Sequence, residues 1–236
     1  MSGNAWSRSE IAERLAQDIQ DGAYMNLGIG LPTLVSNYLP SDREIILHTE
    51  NGMLGMGPEA KPGEIDPDLI NAGKIPVTEL PGASYFHHGD SFGMMRGGHL
   101  DVCVLGAFQV SQTGDLANWS TGVEAAIPAV GGAMDLAIGA KKVYVMMELA
   151  AKNGDSKLVD HCSYPVTALG CVNRLYTDRA IFDLGPNGAT VTEVVGDTTV
   201  DELRTLTGLD LRDGTAGATS RKVTPALLSE RHPIRN

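Results

Sequence analysis

Hydrophobic positions at helical spacing mark the first element of the chain. Ile11, Leu15 and Ile19 recur on one face of a segment whose other positions are mostly polar, which is typical of an amphipathic helix. Ser7 and Glu10 stand three residues apart just before this pattern, the spacing of a capping box. The chain is therefore predicted to enter its domain through a capped helix.

Short apolar runs then alternate with further helical patterns. The runs "AYMNL", "EIILH", "HLDVCVLGAFQVS" and "KKVYVMME" are predicted strands, and the segments "PTLVSNYLP", "DSFGMMRGG" and "GGAMDLAIGA" are predicted helices. Strands separated by helices are typical of an α/β domain with parallel strands. The predicted fold class is therefore α/β, with an open and mostly parallel sheet.

The C-terminal part has a different pattern. The segments "RAIFDL" and "ATVTEVV" flank "GPNG", which predicts a hairpin. A helix should follow, with Thr199 and Glu202 as its capping box and Gly208 as its stop. We expect the domain to cover residues 7–211, and residues 212–236, which lack a steady period, to form a flexible or partner-docked tail.

Proline, glycine and acidic residues dominate residues 57–82. Such a composition favours a long surface excursion over a core element.

Charge and apolar content narrow the class of protein. The formal net charge is −11 and the sequence pI about 4.9, which argues against nucleic acid as the main partner. No apolar run approaches the ~20 residues that a membrane helix needs, and charged residues follow the first few positions, unlike a secretion signal. A cytoplasmic location without membrane association is the expectation. Three scattered cysteines predict free thiols in place of a disulfide framework.

The stretch "GIGLPT" contains the first candidate for binding chemistry. A full dinucleotide fingerprint would need a third glycine where Thr33 stands. What remains is a set of backbone amides from Gly28 to Leu31 near a helix start, which suits an anion or an oxyanion. A plain tight turn is the alternative.

Metal and acyl-transfer motifs are weak. His87, His88 and Asp90 offer ligand atoms, but adjacent histidines on a strand would point to opposite faces, and no second cluster has ligand spacing. No metal site is predicted. The one G-x-S-x-G stretch, "GDSFG" at residues 89–93, has its serine inside the predicted helix "DSFGMMRGG" and not at a strand-to-helix turn, so no nucleophile elbow is predicted. No cysteine has a local histidine to activate it. A carboxylate remains as the candidate nucleophile.

Glu50 is that carboxylate. It follows the predicted strand "EIILH", at the edge where ligands bind to open α/β sheets. Asn51 and Gly52 form a strong turn dipeptide, so a solvated surface turn is the alternative. The next residues, "MLGMGP", are apolar and rich in glycine. They predict a partly desolvated carboxylate, which is a better nucleophile than a hydrated one.

Four separated motifs give the chain a family resemblance. The stretches "NLGIGLPTLVSNYLP", "HTENGMLGMGP", "RGGHLDVCVLGAFQVSQTGDLANW" and "VGGAMDLAIGAKKVYVMME" occur in one order. Together they resemble the B (beta) subunits of family I CoA-transferases, which exchange CoA between a carboxylate and an acyl-CoA. The resemblance runs from about residue 11 to residue 211. Within the family, "INAGKIPVTELPGASYFHHGDSFGMMRGG" and "CSYPVTALGCVNRLYTDRAIFDL" are most similar to 3-oxoadipate CoA-transferases, with succinyl-CoA:3-oxoacid transferases close behind.

The resemblance implies the open α/β sheet of CoA-transferases and an obligatory A (alpha) subunit, in an A2B2 or similar hetero-oligomer. It implies that Glu50 is a covalent nucleophile that moves CoA from succinyl-CoA to 3-oxoadipate through a glutamyl-CoA thioester, in aromatic-compound degradation. A CoA thioester would be the cosubstrate, and no metal or redox cofactor would be needed. Transfer to acetoacetate or another 3-oxo acid, acyl-CoA hydrolysis and a non-catalytic binding role remain alternatives.

The resemblance also implies substrate-binding or oxyanion roles for a set of glycines and amides: Asn26, Gly28, Gly30, Asn51, Gly52, Gly131 and Gly132. Gly131 and Gly132 would donate backbone amides and Asn26 a side-chain amide, while Gly28 and Gly30 would let substrate approach the backbone. A helix-start turn explains Gly131 and Gly132 equally well, and Asn26 could simply cap a turn.

One segment departs from the family pattern. Leu149 stands where the family usually has a histidine, so the identity of the 3-oxo acid stays open if that loop contacts substrate. Arg96 and Arg174 are candidates for the distal carboxylate of a dicarboxylic acid, although a surface or structural role is favoured for each.

Overall fold

The computed structural model describes residues 5–122 and 129–216. Four α-helices and one 3-10 helix lie in these ranges: α1 (Arg8–Gln17), the 3-10 helix (Leu31–Asn37), α2 (His88–Arg96), α3 (Ala133–Gly139) and α4 (Val200–Thr207). The strands are β1 (Tyr24–Leu27), β2 (Ile46–Thr49), β3 (Met53–Glu59), β4 (Val77–Tyr85), β5 (Val102–Leu105), β6 (Gln109–Ser111), β7 (Leu116–Ala117), β8 (Lys142–Met146), β9 (Leu158–Val159), β10 (Val172–Tyr176), β11 (Ala180–Asp183), β12 (Thr190–Val194) and β13 (Arg212–Asp213).

Ten strands form one sheet in the order β13-β12-β11-β10-β8-β5-β1-β2-β3-β4. Its centre, β10-β8-β5-β1-β2, is parallel throughout. Antiparallel strands extend the sheet on both sides, β3 and β4 beyond β2, and β11 and β12 beyond β10. A second sheet, β7-β6-β9, is small. The predicted α/β fold with a mostly parallel sheet is confirmed, and so is the C-terminal hairpin, β11 with β12.

Both faces of the large sheet are covered. In β5, Val102 and Val104 pack into the cluster that contains α1 and the 3-10 helix. Cys103 and Leu105 pack into the opposite cluster, which contains residues of α2, α3 and α4. This alternation follows from the two-residue period of a strand. A strand buried on both faces is apolar at every position, which is why "VCVL" has no polar side.

Capping explains where the first and last helices begin. At α1, Ser7 Oγ accepts from the Glu10 N–H at 3.2 Å and Glu10 Oε2 accepts from the Ser7 N–H at 2.7 Å. Thr199 and Glu202 form the same reciprocal pair at α4, which ends at Gly208 with φ 69°. Both predicted capping boxes are confirmed.

Two predictions need correction. Residues 57–82 are not a surface excursion throughout, because β3 continues to Glu59 and β4 begins at Val77, and the two strands pair at the sheet edge. Gly57 packs so closely on Thr78 that a Cβ would overlap it. From the sequence alone, such glycines indicate a loop, although in the fold they allow two strands to pack closely. The run "HLDVCVLGAFQVS" also divides, into β5 and β6 of different sheets.

The predicted domain end near Leu211 falls directly before β13, which pairs with β12. The predicted tail from residue 212 is described only to residue 216, and residues 217–236 lie outside the described residues. The described ranges contain no helix of the length and apolar character needed to span a membrane. The cytoplasmic location stays a prediction.

Candidate active site

Glu50 lies in a tight connection between β2 and β3. Thr49 pairs with Met53, so the loop has three residues, and the Gly52 N–H donates to the Thr49 carbonyl at 3.2 Å. Gly52 has φ 106°, and a Cβ there would overlap the carbonyl oxygen of Phe86. The predicted turn at Asn51 and Gly52 is therefore present, and it projects Glu50 from the carboxyl end of a parallel strand.

A cavity of about 710 Å³ runs along this edge of the sheet. Its lining includes the residue that directly follows each of four neighbouring parallel strands: Gly28 after β1, Glu50 after β2, Gly106 after β5 and Met147 after β8. Strand ends of a parallel sheet meet at one edge, which is where α/β proteins bind their ligands. A second cavity, of about 320 Å³, also reaches Glu50 and is lined by Asn26, Asn51 and others.

The surroundings of Glu50 disfavour its charged form. The side chain is half-buried, and burial is the main cause that raises the pKa of its carboxyl group above the usual value. His88 lowers this pKa, and Asp135 raises it further. The predicted partial desolvation of Glu50 is thus present in the fold.

Gly132 packs directly against the Glu50 carboxylate. A Cβ built on Gly132 would lie 2.5 Å from Oε2 and 2.6 Å from Cδ of Glu50. Gly131, with φ 57°, precedes it, and both line the large cavity before α3 begins. The fold therefore brings Gly132 into contact with Glu50, and Gly131 into the same cavity, from a position far away in the sequence. Their role as oxyanion donors stays a prediction.

A buried polar network lies beneath Glu50. Asn26 Nδ2 donates to the His48 carbonyl at 3.1 Å and lies 3.0 Å from His48 Nδ1. Ser91 Oγ donates to the Thr49 carbonyl at 2.7 Å and lies 3.0 Å from His48 Nε2. Because the Ser91 hydrogen is used by Thr49, the proton between Ser91 and the ring belongs on Nε2, which leaves Nδ1 to accept from Asn26. Burial lowers the pKa of His48, which agrees with a neutral ring.

This network gives Asn26 a role that the sequence did not indicate. Both contacts of its Nδ2 go to His48, and its Oδ1 is buried without a hydrogen-bond partner among the described residues. Asn26 thus links β1 to β2 below Glu50, and its role as an oxyanion donor stays a prediction. Sequence reasoning missed His48 and Ser91, although a histidine on a buried strand directly before the Glu50 turn was an available signal.

The other glycines of the predicted set differ in position. Gly28 lines the large cavity, and a Cβ there would meet Leu105 Cδ2 and the Val104 carbonyl at 3.1 Å. Close packing on β5 is therefore by itself a reason for a small residue at this position. Gly30, with φ 86°, turns the chain into the 3-10 helix and does not line either cavity. Substrate approach at these two glycines stays a prediction.

The two candidate arginines have structural partners. Arg174 forms ion pairs with Asp183 at 2.6 Å and with Asp18 at 3.2 Å. Arg96 pairs with Asp135 at 2.7 Å. Neither arginine lines the cavities that contain Glu50. The structural alternative is therefore supported for both.

Leu149, where the family pattern is broken, has a fully buried side chain. Its N–H donates to Asp178 Oδ1 at 2.7 Å. The side chain belongs to the core and does not line the large cavity, whereas its neighbour Glu148 does.

His87 and His88 stand at the start of α2 and not on a strand, and His87 Nδ1 accepts from the Gly89 N–H at 3.0 Å. Within residues 5–122 and 129–216, no three His, Cys, Asp or Glu side chains are placed to hold a metal ion. The cysteines are free, as predicted, and burial raises the pKa of both Cys162 and Cys171 to about 11.

Comparison with known proteins identifies the class. A profile of the Coenzyme A transferase family matches residues 8–205, so the chain belongs to this family of CoA-transferases. It is 62% identical to the B subunit of 3-oxoadipate CoA-transferase from Pseudomonas putida over 205 residues, covering 87% of this chain and 96% of that protein. Identity to the B subunit of the same name in Acinetobacter baylyi is 56% over 92% of this chain and all of that protein. The B subunit of succinyl-CoA:3-ketoacid coenzyme A transferase from Helicobacter pylori is 47% identical, over 84% of this chain and 94% of that protein.

Solved structures support the fold. An acyl-CoA transferase of Escherichia coli O157:H7 aligns with a TM-score of 0.67 at 19% identity, over 88% of this chain and 42% of that one. The AibA/AibB decarboxylase aligns with a TM-score of 0.60 at 19% identity, over 89% of this chain and 86% of that one. Because proteins named as a transferase and as a decarboxylase share this fold, function must be argued from the site.

Proposed function

We propose that this chain is the nucleophile-bearing B subunit of a 3-oxoadipate CoA-transferase that uses succinyl-CoA as CoA donor. The observation that carries the proposal is Glu50 itself, a half-buried carboxylate at the carboxyl end of β2, facing a cavity of about 710 Å³. The names of the relatives at 62% and 56% identity support 3-oxoadipate as the acceptor.

The first half of the cycle loads CoA onto the protein. Glu50 attacks the thioester carbonyl of succinyl-CoA, the C–S bond breaks, and CoA leaves as the thiolate from a mixed anhydride of Glu50 and succinate. The thiolate then attacks the Glu50 carbonyl of the anhydride. Succinate leaves, and a glutamyl-CoA thioester remains.

The second half reverses these steps with the acceptor. The carboxylate of 3-oxoadipate attacks the glutamyl thioester and expels the CoA thiolate, which gives a new anhydride. The thiolate attacks the 3-oxoadipyl carbonyl, so that 3-oxoadipyl-CoA forms and the Glu50 carboxylate is restored. No proton or electron is consumed overall, and we propose that the CoA thioester is the only cosubstrate, with no metal or redox cofactor.

Each attack creates a tetrahedral oxyanion, which needs donors. Gly131 and Gly132 are proposed to supply backbone amides, because Gly132 packs on the Glu50 carboxylate and both line the cavity. Loss of one such donor typically costs about 3 kcal/mol of transition-state stabilisation. Asn26 is proposed to contribute its amide only after its contacts to His48 are exchanged.

The proposed partner is an A subunit, in an A2B2 or similar hetero-oligomer. The relatives are named as B subunits. In addition, the rim of the large cavity carries exposed apolar side chains, with Ile29 73% and Phe108 42% exposed. A covering partner chain would remove this apolar surface from water and would keep water from the anhydride and thioester.

The test uses the assembled complex of this chain with its A subunit. After incubation with succinyl-CoA, peptide mass spectrometry should locate a CoA adduct on Glu50, and 3-oxoadipate should discharge it. Glu50→Gln should form no adduct and lose activity. An active Glu50→Gln complex, or an adduct at another residue, would overturn the mechanism.

Two alternatives are separated in the same assay. Faster discharge by acetoacetate than by 3-oxoadipate would identify a 3-oxoacid transferase, the activity named for the relative at 47% identity. Loss of succinyl-CoA at the full rate without any acceptor would identify an acyl-CoA hydrolase.

A further inference from the structure

The large cavity has a charged end that the reaction steps do not use. Arg8, Glu148 and Lys157 all line it. Glu148 follows β8, whereas Glu50 follows β2, and β5 and β1 lie between these two strands in the sheet. At about 4.8 Å per neighbouring strand, the two ends of the cavity are roughly 14 Å apart.

The charges at this end leave one cation without a direct counter-ion. Arg8 Nη2 and Glu148 Oε1 form an ion pair at 2.9 Å. Lys157 is half-buried, and within the described ranges its ammonium group forms no ion pair or side-chain hydrogen bond. Arg8, Glu148 and Lys157 together carry a net charge of +1, in a chain of net charge −11.

The local environment makes this cation receptive to an anion. Burial lowers the pKa of Lys157, while Glu148 and Asp178 raise it. A half-buried ammonium group that lacks a direct partner has lost part of its hydration, and an incoming carboxylate would restore charge-assisted hydrogen bonds. The main chain holds the residue in place, since the Lys157 N–H donates to the Leu149 carbonyl at 2.8 Å.

The distance fits a short dicarboxylic acid. At about 1.2 Å per bond along an extended chain, an acyl group of four to six carbons on the Glu50 carboxyl would place its distal carboxylate about 10–12 Å from Glu50 Cα. The remaining few ångströms are within reach of a lysine side chain from the far end of the cavity.

We propose that Lys157 binds the distal carboxylate of the acyl group carried on Glu50, and so selects dicarboxylic over monocarboxylic substrates. The ion pair between Arg8 and Glu148 neutralises the one acidic side chain among these three, so that it does not repel the substrate. This inference rests on the proposed function, because it assigns a site to the second carboxylate of succinate and 3-oxoadipate. Neither Arg96 nor Arg174 lies where it could bind that second carboxylate.

The experiment measures discrimination between a diacid and its neutral analogue. Wild-type, Lys157→Met and Lys157→Arg chains, each assembled with the A subunit, are assayed with succinyl-CoA as donor and with 3-oxoadipate or its distal methyl ester as acceptor. Lys157→Met should lower kcat/KM for 3-oxoadipate about 10- to 100-fold, the effect of losing one charge-assisted contact. Because succinyl-CoA carries a distal carboxylate too, discharge of preformed glutamyl-CoA by each acceptor is measured separately.

We expect the ester to discharge glutamyl-CoA about as fast in the Lys157→Met complex as in the wild-type complex. The Lys157→Arg complex should regain much of the preference for the diacid. Lys152→Met is the matched control, since Lys152 is exposed nearby in the chain and does not line the cavities. It should match wild type with both acceptors.

Equal losses with diacid and ester would assign Lys157 to the CoA phosphates or to the fold, and would overturn the proposal, as would unchanged rates. The proposed function fails separately, if the wild-type complex gives no 3-oxoadipyl-CoA.

Discussion

Replacing Gly132 with alanine should damage catalysis without damaging the fold. Gly132 has φ −76° and ψ −2°, a helical conformation that alanine adopts readily. The added methyl group would nevertheless lie 2.5 Å from Glu50 Oε2, where ordinary contact begins at about 3.4 Å. The three atoms nearest to it all belong to the Glu50 carboxyl group, which can move aside. The Glu50 carboxyl group would have to move away by about 0.9 Å.

The magnitude follows from the geometry. A displacement near 1 Å of a reacting group can cost about 100-fold in rate, which corresponds to about 2.7 kcal/mol of activation free energy. The free energy of unfolding should change in the other direction, because Gly→Ala at a compatible site stabilises by about 0.4–1 kcal/mol. For a chain of this size that is a rise in Tm of about 1–4 °C.

The assay pairs steady-state kinetics of the assembled complex with thermal unfolding of the same sample. Gly93→Ala is the matched control, since Gly93 lies in α2 and a Cβ there meets no atom within 4 Å. It should raise Tm similarly and keep full activity. Activity of Gly132→Ala within about threefold of wild type would refute the working geometry inferred for Glu50, and a fall in Tm of several degrees would show that the loss is structural.

Three further substitutions probe the surroundings of Glu50. His88→Gln removes a group that lowers the pKa of Glu50. Since the proposed attack by Glu50 requires the ionised carboxylate, the acid limb of the pH profile of kcat/KM should move to higher pH, and an unmoved limb would contradict this. Ser91→Ala leaves the buried Nε2–H of His48, beneath Glu50, without its acceptor, so the free energy of unfolding should fall by about 1–3 kcal/mol in urea titrations and kcat by roughly tenfold; a change in neither would refute the network. Gly52→Ala, at φ 106° and against a backbone carbonyl, should lower Tm by several degrees, and an unchanged Tm would show that the turn adapts freely.

Local features of the fold could be predicted from the sequence because they depend on residues close together in the chain. The capping boxes at Ser7 and Thr199 need only a partner three residues away, and both form. Glu50 could also be singled out, because a strand end, a turn dipeptide and an apolar glycine-rich run are adjacent in the sequence.

The rest of the site depends on the order of strands in the sheet. Gly132 meets Glu50, and Lys157 faces the same cavity, only because β2, β1, β5 and β8 end side by side. Periodicity carries no information about which strands become neighbours. The family resemblance therefore supplied Gly132, whereas Lys157 was found only in the fold.

His48 shows a second limit of sequence reasoning. A single histidine on a buried strand is usual for a core position, and its role became visible only when α2 placed Ser91 at 3.0 Å from Nε2. The pairing of β3 and β4 was missed for a different reason, since glycines that permit close strand contact have the same composition as a loop.

The end of the large sheet at β4 has a consequence for solubility during expression. An outermost strand offers free backbone donors and acceptors to any other chain with an exposed edge. In β4, Pro81 supplies no N–H, Gly82 turns to φ 89°, and the register against β3 is broken between Met56 and Leu54. The backbone donors and acceptors of β4 therefore form an irregular and incomplete edge for pairing with a strand of another chain. Self-aggregation through β4 is therefore disfavoured.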